Sequence, residues 1–162
     1  MLVEGRAAPG FDLVADAGGR ISLASLKGAP VILFFYPADD TETCTLEAQQ
    51  FSAATPRFKL ASAQVLGISP DGIASHCKFR DKYGLNVPLL ADEDLKTCKA
   101  YGVWTEKTLF GRSYMGVERT TVLIDGKWRI ARLWRKVRLK GHVEAVLEAA
   151  RTLSSAQGND RA

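Results

Sequence analysis

The stretch VILFFYPADDTETCTLEAQQF, residues 31–51, joins an apolar run to a helical pattern through a short polar loop. Its first six residues are β-branched, aliphatic or aromatic without interruption, which is typical of a central strand covered on both faces. Pro37 ends the run, because proline cannot donate to the hydrogen-bond ladder of a sheet. The sequence therefore predicts a buried strand, a loop and then a helix whose first turn carries Cys44.

The rest of the chain repeats this alternation of strand and helix patterns. Apolar runs bounded by turn residues predict further strands, which are a hairpin over 11–23, then 65–69, 120–125 and 128–134. Apolar spacing and glycine stops predict four helices, over 43–60, 70–84, 92–102 and 141–153. This order predicts an α/β chain. Its early parallel pairing and late hairpin resemble a thioredoxin-like fold, in which helices flank a central mixed β-sheet.

Three segments carry their own expectations. Pro56 interrupts the helix over 43–60, so we expect a kink or a break there, with Thr55 able to cap a restarted turn. We interpret residues 103–116, VWTEKTLFGRSYMG, as irregular. Residues 154–162, SSAQGNDRA, are polar and predict a flexible tail.

The composition is typical of one globular domain. The chain has 162 residues, of which 46% are hydrophobic and 25% charged, and it shows neither repeats nor a linker, so we expect one domain over 1–162. No run of 18 apolar residues occurs, and residues 1–10 lack the apolar core of a signal peptide. We therefore expect a protein of the cytoplasm with no membrane partner.

The formal net charge of +4 invites comparison with nucleic-acid-binding proteins. The basic residues concentrate in WRIARLWRKVRLKGH, residues 128–142, where the aromatic residues follow strand periodicity and no nucleic-acid-binding motif accompanies them. We interpret this segment as a strand with a solvated basic face and a following loop, and we expect no nucleic-acid partner. Salt-dependent affinity would be the sign of a nucleic-acid binder.

The three cysteines, Cys44, Cys77 and Cys98, are an odd and sparse set. They form no CxxC motif and no Cys/His cluster at zinc-ligand spacing, so the sequence predicts neither a metal nor another cofactor. The missing CxxC also argues against a thioredoxin-type disulfide oxidoreductase. We expect thiols in a reducing compartment, at least one of them reactive.

Cys44 lies where the first turn of a helix should begin. The backbone N–H groups of that turn have no helical partner, and they favour an anion such as a thiolate. A free cysteine is about 3% ionised at pH 7, so ionisation alone raises reactivity only about thirtyfold. A fast enzyme must also stabilise charge that develops on a substrate oxygen. The Thr41 hydroxyl and a guanidinium from elsewhere in the chain are candidates for that role.

Pro37, Thr41 and Cys44 reproduce the Pro-x-x-x-Thr-x-x-Cys motif of peroxiredoxins, and GVERTTVLID, residues 116–125, resembles the family segment that supplies an active-site arginine. Two further segments, LLADEDLKTCKAYGVW and RKVRLKGHVEAVLEAA, are similar to the peroxiredoxin Q, or bacterioferritin comigratory protein, subfamily. The resemblance extends from about residue 5 to about residue 153.

The resemblance implies an antioxidant thiol peroxidase that reduces hydrogen peroxide and alkyl hydroperoxides, with thioredoxin or another dithiol as reductant. Cys44 would be the peroxidatic cysteine, which attacks the terminal peroxide oxygen and becomes a sulfenic acid. Thr41 would hold the peroxide, Arg119 would stabilise the thiolate and the polarised O–O bond, and Pro37 would shield the pocket. Glu47 resembles the family glutamate that orients this arginine. The subfamily is often monomeric, which implies a monomer here.

The sequence departs from the subfamily at two places near Cys44. Glu42 and Thr43 stand where members usually have Pro-Gly. Because an inward carboxylate would oppose a thiolate, we predict that Glu42 faces solvent. Gln49 stands where many members carry a resolving cysteine, so the local disulfide of those members is absent.

Cys77 and Cys98 remain as partners for Cys44. Cys98 lies on the apolar stripe of its helix, which predicts a buried core thiol. Cys77 lies beside basic residues in SHCKFRDKYG, an exposed setting that suits a reactive thiol, and some subfamily members resolve through a cysteine one turn later, at the position of Arg80. We expect Cys77 to form the disulfide after local unwinding around Cys44. Resolution by Cys98, or by an external thiol in a one-cysteine cycle, stays open.

A peroxide-sensing module on the same fold is a further alternative, in which Cys44 reacts once and stops. Catalytic peroxide consumption with a dithiol distinguishes the enzyme from the sensor. Two histidines, His76 and His142, are tempting as bases, but attack by a preformed thiolate requires none. We interpret His142 as a cap or surface residue.

Overall fold

Residues 2–159 are described in a computed structural model, and they form a sheet flanked by helices. The strands are β1 (Asp12–Ala15), β2 (Arg20–Ser22), β3 (Val31–Phe35), β4 (Gln64–Ser69), β5 (Leu89–Ala91), β6 (Trp104–Leu109), β7 (Arg112–Val117), β8 (Thr120–Ile124) and β9 (Ile130–Trp134). The helices are a 3-10 turn (Leu23–Leu26), α1 (Glu42–Leu60), α2 (Ile73–Tyr83), α3 (Lys96–Ala100) and α4 (His142–Asn159).

The main sheet has seven strands in the order β2-β1-β5-β4-β3-β8-β9. Strands β3, β4 and β5 pair in parallel, and the other neighbours pair antiparallel. The predicted mixed sheet, with early parallel pairing and a late hairpin, is therefore confirmed. The loop after β3 leads into α1 at the carboxyl edge of the parallel strands, which is a usual place for a site in α/β sheets.

β3 is buried along its whole length. Ile32 and Phe34 point to a core cluster that also contains residues of α1, α2 and α4, whereas Leu33 and Phe35 point to a second cluster with α3 and the amino-terminal segment. The Phe34 ring stacks on Phe51 of α1 with 4.7 Å between centroids. The two clusters confirm the prediction of a strand covered on both faces. The stacking of Phe34 on Phe51 holds α1 against the sheet.

α1 runs through Pro56 as one helix, so the expected break is wrong. The Thr55 hydroxyl lies 3.1 Å from the Phe51 carbonyl oxygen, and thus bonds back to its own helix instead of capping a new one. Beyond the proline, Arg57 donates to both carboxylate oxygens of Glu144 in α4, at 2.6 Å each. Packing on the sheet and on α4 holds together a helix that local propensity alone would interrupt.

Residues 104–117 form a separate two-stranded hairpin, β6–β7, so the irregular interpretation of 103–116 is wrong. Its turn residues Phe110 and Gly111 both have positive φ, 51° and 76°, as a tight two-residue hairpin turn requires. Most of the hairpin is exposed on both faces, including Phe110 at 95%. Without a buried face, the sequence carries no clean apolar alternation.

α4 continues to Asn159, six residues past the helix end expected from the sequence at Leu153. Residues 160–162 lie outside the described residues, and flexibility of the tail stays a prediction. In the part of the chain that the structure describes, no helix has the length and apolar character needed to cross a bilayer.

Candidate active site

Cys44 is the third residue of α1 and is 1% exposed. The first helical hydrogen bond runs from the Thr45 N–H to the Thr41 carbonyl oxygen, at 2.9 Å. The backbone N–H groups of Glu42, Thr43 and Cys44 precede that bond and carry the positive end of the helix dipole. The helix start therefore favours negative charge close to the Cys44 sulfur.

Arg119, on the connection between β7 and β8, contacts Cys44 although the two residues are distant in sequence. Its Nη2 donates to Cys44 Sγ at 3.2 Å, and its Nη1 donates to Glu47 Oε1 at 2.7 Å. The side chain is only 13% exposed, and its backbone carbonyl accepts from Val137 at 3.0 Å. The structure thus brings together the predicted cysteine, glutamate and arginine, with one guanidinium joining the sulfur to the carboxylate.

Glu47 is fully buried one helical turn after Cys44, and its Oε2 has no hydrogen-bond partner within residues 2–159. Burial raises the pKa of Glu47 to about 7, although the charge and hydrogen bond of Arg119 act in the opposite direction. Burial also works against the charge of Arg119, but Glu47 and the contact with Cys44 raise the pKa of the guanidinium. The guanidinium is therefore held as a cation, and the buried carboxyl beside it is easier to protonate than an exposed glutamate.

Thr41 and Pro37 lie on the loop that enters α1. The Thr41 hydroxyl is exposed and donates to the Ala38 carbonyl oxygen at 3.1 Å, so it neither caps the helix nor contacts the sulfur. Pro37 is half-buried directly after β3. Glu42 is exposed, which confirms the prediction that its carboxylate faces solvent.

The loop is fastened to α2 by a buried polar network. The Asp39 carboxylate accepts from the hydroxyls of Tyr36, at 2.6 Å, and Ser75, at 2.7 Å, and lies 2.7 Å from His76 Nδ1. Its backbone N–H donates to the Asp71 carboxylate at 2.8 Å. This network was missed from the sequence.

His76, the neighbour of Cys77, is not part of the exposed basic setting expected there, because its side chain is 0% exposed. A signal was available in the helical spacing. His76 lies three residues before Phe79 and seven before Tyr83, and thus on the same inward stripe of α2.

Cys77 is half-buried, not exposed, and its Sγ donates to the Asp16 carbonyl oxygen at 3.3 Å. Arg80 Nη1 donates to the same oxygen at 3.0 Å, so Cys77 and Arg80 share one face of α2. Ser75 and His76 face the loop before Cys44 instead. In this arrangement all three cysteines are free thiols.

Cys98 is fully buried, which confirms the predicted core thiol. Burial, and next the hydrogen bond and charge of Asp92, raise the pKa of the Cys98 thiol well above its ordinary value. Asp92 also accepts from the backbone N–H groups of Thr97 and Cys98, at 3.1 and 2.7 Å. A thiol held protonated in this setting is a poor nucleophile.

His142 is 6% exposed at the start of α4, so the surface interpretation is wrong. Its Nε2 lies 2.8 Å from the Thr121 hydroxyl, and its ring packs edge-on against Phe51 and Trp134. Burial, and next the charge of Arg119, lower the pKa of His142 to about 4. A neutral imidazole therefore stands near the guanidinium.

Lys107 of β6 is a second cation beside the site that sequence reasoning missed. Burial, and next the charge of Arg119, lower its pKa, while the charge of Cys44 acts in the opposite direction. Within residues 2–159, no three His, Cys, Asp or Glu side chains are grouped as metal ligands.

The chain is similar to known proteins over most of its length. Residues 5–132 match the model of the AhpC/TSA family. The putative peroxiredoxin bcp of Coxiella burnetii is 46% identical over 143 residues, which cover 88% of this chain and 95% of that protein. Peroxiredoxin Bcp of Bacillus subtilis is 40% identical over 155 residues, covering 95% and 99%.

Solved structures agree with these relatives. Peroxiredoxin Q of Xanthomonas campestris matches with a TM-score of 0.85 and 36% identity, over 89% of this chain and 91% of that one. A cysteine mutant of Xylella fastidiosa PrxQ matches with a TM-score of 0.89 and 33% identity, over 94% and 97%. The expected thioredoxin-like fold is thereby confirmed. The chain therefore belongs to the AhpC/TSA family, among peroxiredoxins of the Q, or bacterioferritin comigratory protein, type.

Proposed function

We propose that this thiol peroxidase reduces hydrogen peroxide and alkyl hydroperoxides at Cys44, and that Cys77 resolves the oxidised sulfur. Peroxidase activity follows from membership of the family. The observation that supports the role of Cys44 is the 3.2 Å hydrogen bond from Arg119 to its sulfur, at the start of α1. The bacterioferritin comigratory protein of Xanthomonas campestris, 35% identical to this chain, has alkyl peroxide reduction activity.

In the first step, the Cys44 thiolate attacks the terminal peroxide oxygen and the O–O bond breaks. The sulfur becomes a sulfenic acid, and the leaving oxygen takes a proton to give water or an alcohol. Arg119 stabilises the charge that passes from sulfur to oxygen, because it already lies against Sγ and needs no rearrangement. Thr41 exchanges its bond to the Ala38 carbonyl for one to the peroxide, and Pro37 limits water in the pocket.

In the second step, Cys77 attacks the Cys44 sulfenic acid. An S–S bond forms, the S–O bond breaks, and the leaving hydroxide takes the proton released by Cys77. Cys77 shares its face of α2 with Arg80, the position at which some members of the subfamily resolve. A disulfide requires Cα atoms within about 7 Å, so the first turn of α1 must unwind.

A dithiol then reduces the disulfide, as is typical of the family, and we propose thioredoxin for this role. The protein works as a monomer in a reducing compartment such as the cytoplasm. The odd and sparse number of cysteines supports this setting.

Single serine variants of the three cysteines test the mechanism. We expect Cys44→Ser to abolish peroxide turnover, Cys77→Ser to form the sulfenic acid without a disulfide, and Cys98→Ser to behave as the wild type. Stopped-flow peroxide consumption and non-reducing mass spectrometry after one equivalent of peroxide measure these outcomes.

Four results would contradict parts of this scheme. Turnover by Cys44→Ser would remove the peroxidatic role of Cys44. A Cys44–Cys98 disulfide, or a stable sulfenic acid with Cys77 free, would replace Cys77 by Cys98 or by an external thiol. A single reaction that stops in the presence of thioredoxin would favour a sensor.

A further inference from the structure

The loop over residues 37–41, here called the active-site loop, is attached to α2 by two sets of contacts. The inner set is buried and joins Asp39 to His76 and Ser75. The outer set is exposed and joins Asp40 to Lys82, at 2.8 Å, and to the Tyr83 hydroxyl, at 2.5 Å. α2 also carries Cys77, so the element that holds the loop is the one that supplies the proposed resolving thiol.

The inner set contains a buried ion pair. His76 Nδ1 lies 2.7 Å from the Asp39 carboxylate, and Nε2 lies 3.1 Å from the Leu90 carbonyl oxygen. Both partners are acceptors, and a neutral imidazole has only one N–H, so both bonds form only when His76 is an imidazolium. The side chains of His76 and Asp39 are 0% and 4% exposed.

The charges around His76 agree with this assignment. Burial disfavours the imidazolium, but the hydrogen bond and charge of Asp39, the Leu90 carbonyl and the charge of Asp71 raise the pKa of His76 above its ordinary value. Asp39 also accepts hydrogen bonds from the hydroxyls of Tyr36 and Ser75.

This attachment opposes the second chemical step. Cys44 follows the active-site loop directly, and it meets Arg119 while the loop rests on α2. Cys77 points away from the loop, toward Asp16. For the two sulfurs to meet, the loop must leave its place on α2, and the first turn of α1, which follows the loop, must move with it.

We propose that the Asp39–His76 pair is a clamp that holds the active-site loop in the peroxide-reactive arrangement and must open before Cys77 reaches Cys44. This inference rests on the proposed resolving role of Cys77. Neither clamp residue touches a reacting sulfur, so both are positioning residues. While the clamp is closed, the sulfenic acid can meet a second peroxide and become a sulfinic acid, with release of water or an alcohol. The clamp therefore sets the partition between disulfide formation and over-oxidation.

Two variants of His76 separate its two hydrogen bonds. In His76→Gln, the amide nitrogen takes the place of Nε2, so the hydrogen bond to the Leu90 carbonyl is kept and the hydrogen bond to Asp39 is lost. In His76→Asn, the amide nitrogen takes the place of Nδ1 and keeps a neutral bond to Asp39. We expect disulfide formation at least about tenfold faster in His76→Gln, because a charge-assisted buried bond is lost, and an intermediate rate in His76→Asn.

The experiment is a single turnover of the full chain with hydrogen peroxide, which separates sulfenic acid formation from disulfide formation by stopped flow. Mass spectrometry then gives the sulfinic fraction at rising peroxide. We expect that fraction to fall in His76→Gln, while sulfenic acid formation becomes no faster. If neither His76 variant folds, Asp39→Asn removes the same ion pair from the loop side, with the same expected acceleration.

Two controls separate a clamp from general loosening. Lys82→Gln removes the exposed ion pair between Asp40 of the same loop and α2, and it should leave the disulfide step within about twofold of the wild type. Val146→Ala opens a cavity in the buried face of α4 and lowers global stability without touching the loop. Equal acceleration by Val146→Ala would overturn the clamp.

The outcomes distinguish this inference from the function on which it rests. A wild-type disulfide rate in His76→Gln, with the Cys44–Cys77 bond still forming, overturns the clamp and leaves the role of Cys77 intact. Absence of that disulfide in the wild type overturns both.

Discussion

Arg119 offers one guanidinium to two acidic groups, the Cys44 sulfur and the Glu47 carboxylate. A planar fork with several N–H donors spans both, whereas an ammonium is a compact charge on a flexible stem. We therefore expect the reactivity of Cys44 to depend on how the hydrogen bonds of this guanidinium are shared between the sulfur and the carboxylate.

The first prediction concerns the shape of that cation. Arg119→Lys keeps the positive charge but cannot bridge Sγ and Oε1, so we expect kcat/KM for hydrogen peroxide to fall about a hundredfold. The matched control is Arg112→Lys on the exposed hairpin, which should retain wild-type kinetics. Steady-state assays with a saturating dithiol measure both, and near-normal kcat/KM in Arg119→Lys would exclude fork geometry as the important feature.

The second prediction concerns the proton on Glu47, whose pKa is raised to about 7 by burial. Below that pH the carboxyl is neutral, so the charge of Arg119 acts on the Cys44 sulfur alone. Above that pH the Glu47 carboxylate competes with the sulfur for the positive charge. Glu47→Gln keeps an oxygen acceptor without charge, so we expect the ionisation near pH 7 to vanish from the profile of the peroxide rate. Stopped-flow rates on both sides of that pH test this, and an unchanged profile would contradict it.

At this scale the sequence pointed to Cys44, Glu47 and Arg119, because a local motif and a family segment carry them, and the structure brings these side chains together. It did not point to the network that holds the loop before Cys44. Asp39 and His76 form a pair across 37 positions, and no local pattern reports that the two meet.

Among the elements, β4 shows how closely strands and helices are fitted around the site. A Cβ added to Gly67 would lie 2.7 Å from Phe34 Cζ and 3.1 Å from Leu89 Cδ2. The Phe34 ring cannot move away, since it is stacked on Phe51 of α1.

The third prediction follows from that contact. We expect Gly67→Ala to lower the free energy of unfolding by about 1–3 kcal/mol through overpacking. Urea unfolding measures the change, with Gly10→Ala as the control because nothing lies within 4 Å of its added methyl. Equal stability of the two variants would show that the Phe34 ring has room to shift.

Elements with enough buried apolar surface were predictable, and the exposed ones were not. β3 is an uninterrupted apolar run, and α1 follows it with Phe51, Ala54 and Phe58 buried, so the existence and order of both could be predicted. The β6–β7 hairpin has little buried surface, and its turn places a phenylalanine at positive φ, where Asn, Asp or Gly would have been the recognisable signal. α1 continues through Pro56 because tertiary packing outweighs a local breaker.

For the whole molecule, two buried groups couple stability to pH in opposite directions. His142 has a pKa of about 4 in the folded protein and about 6.5 when unfolded, so the unfolded state binds more protons between these values. Stability is therefore lost as pH falls from about 6.5 to about 4. Glu47 has a raised folded pKa, and its contribution is lost as pH rises from about 4.5 to about 7.

The fourth prediction is that replacing either residue removes its own contribution to the pH dependence of stability and leaves the contribution of the other. We expect His142→Gln to lose less stability on mild acidification than the wild type, and Glu47→Gln to lose less as pH rises toward neutrality. Urea unfolding across this range measures both. Parallel stability curves for the wild type and both variants would contradict the assignment.

The architecture as a whole was predictable in class and order, because alternating strand and helix patterns permit few topologies. The approach of α2 to the loop before Cys44 was not predictable, since it arises from the twist and spacing of strands distant in sequence.

The carboxyl-terminal half of α1 is firmly attached to its neighbours, and this limits how far the helix can unfold in repeated catalytic cycles. Phe51 and Phe58 are fully buried, and Arg57 is tied to Glu144 beyond Pro56. Unravelling that starts at Cys44 meets this anchored half after about two turns and stops there. In the disulfide form proposed above, we therefore expect the apolar core to stay covered, so that repeated turnover exposes no surface prone to aggregation or proteolysis.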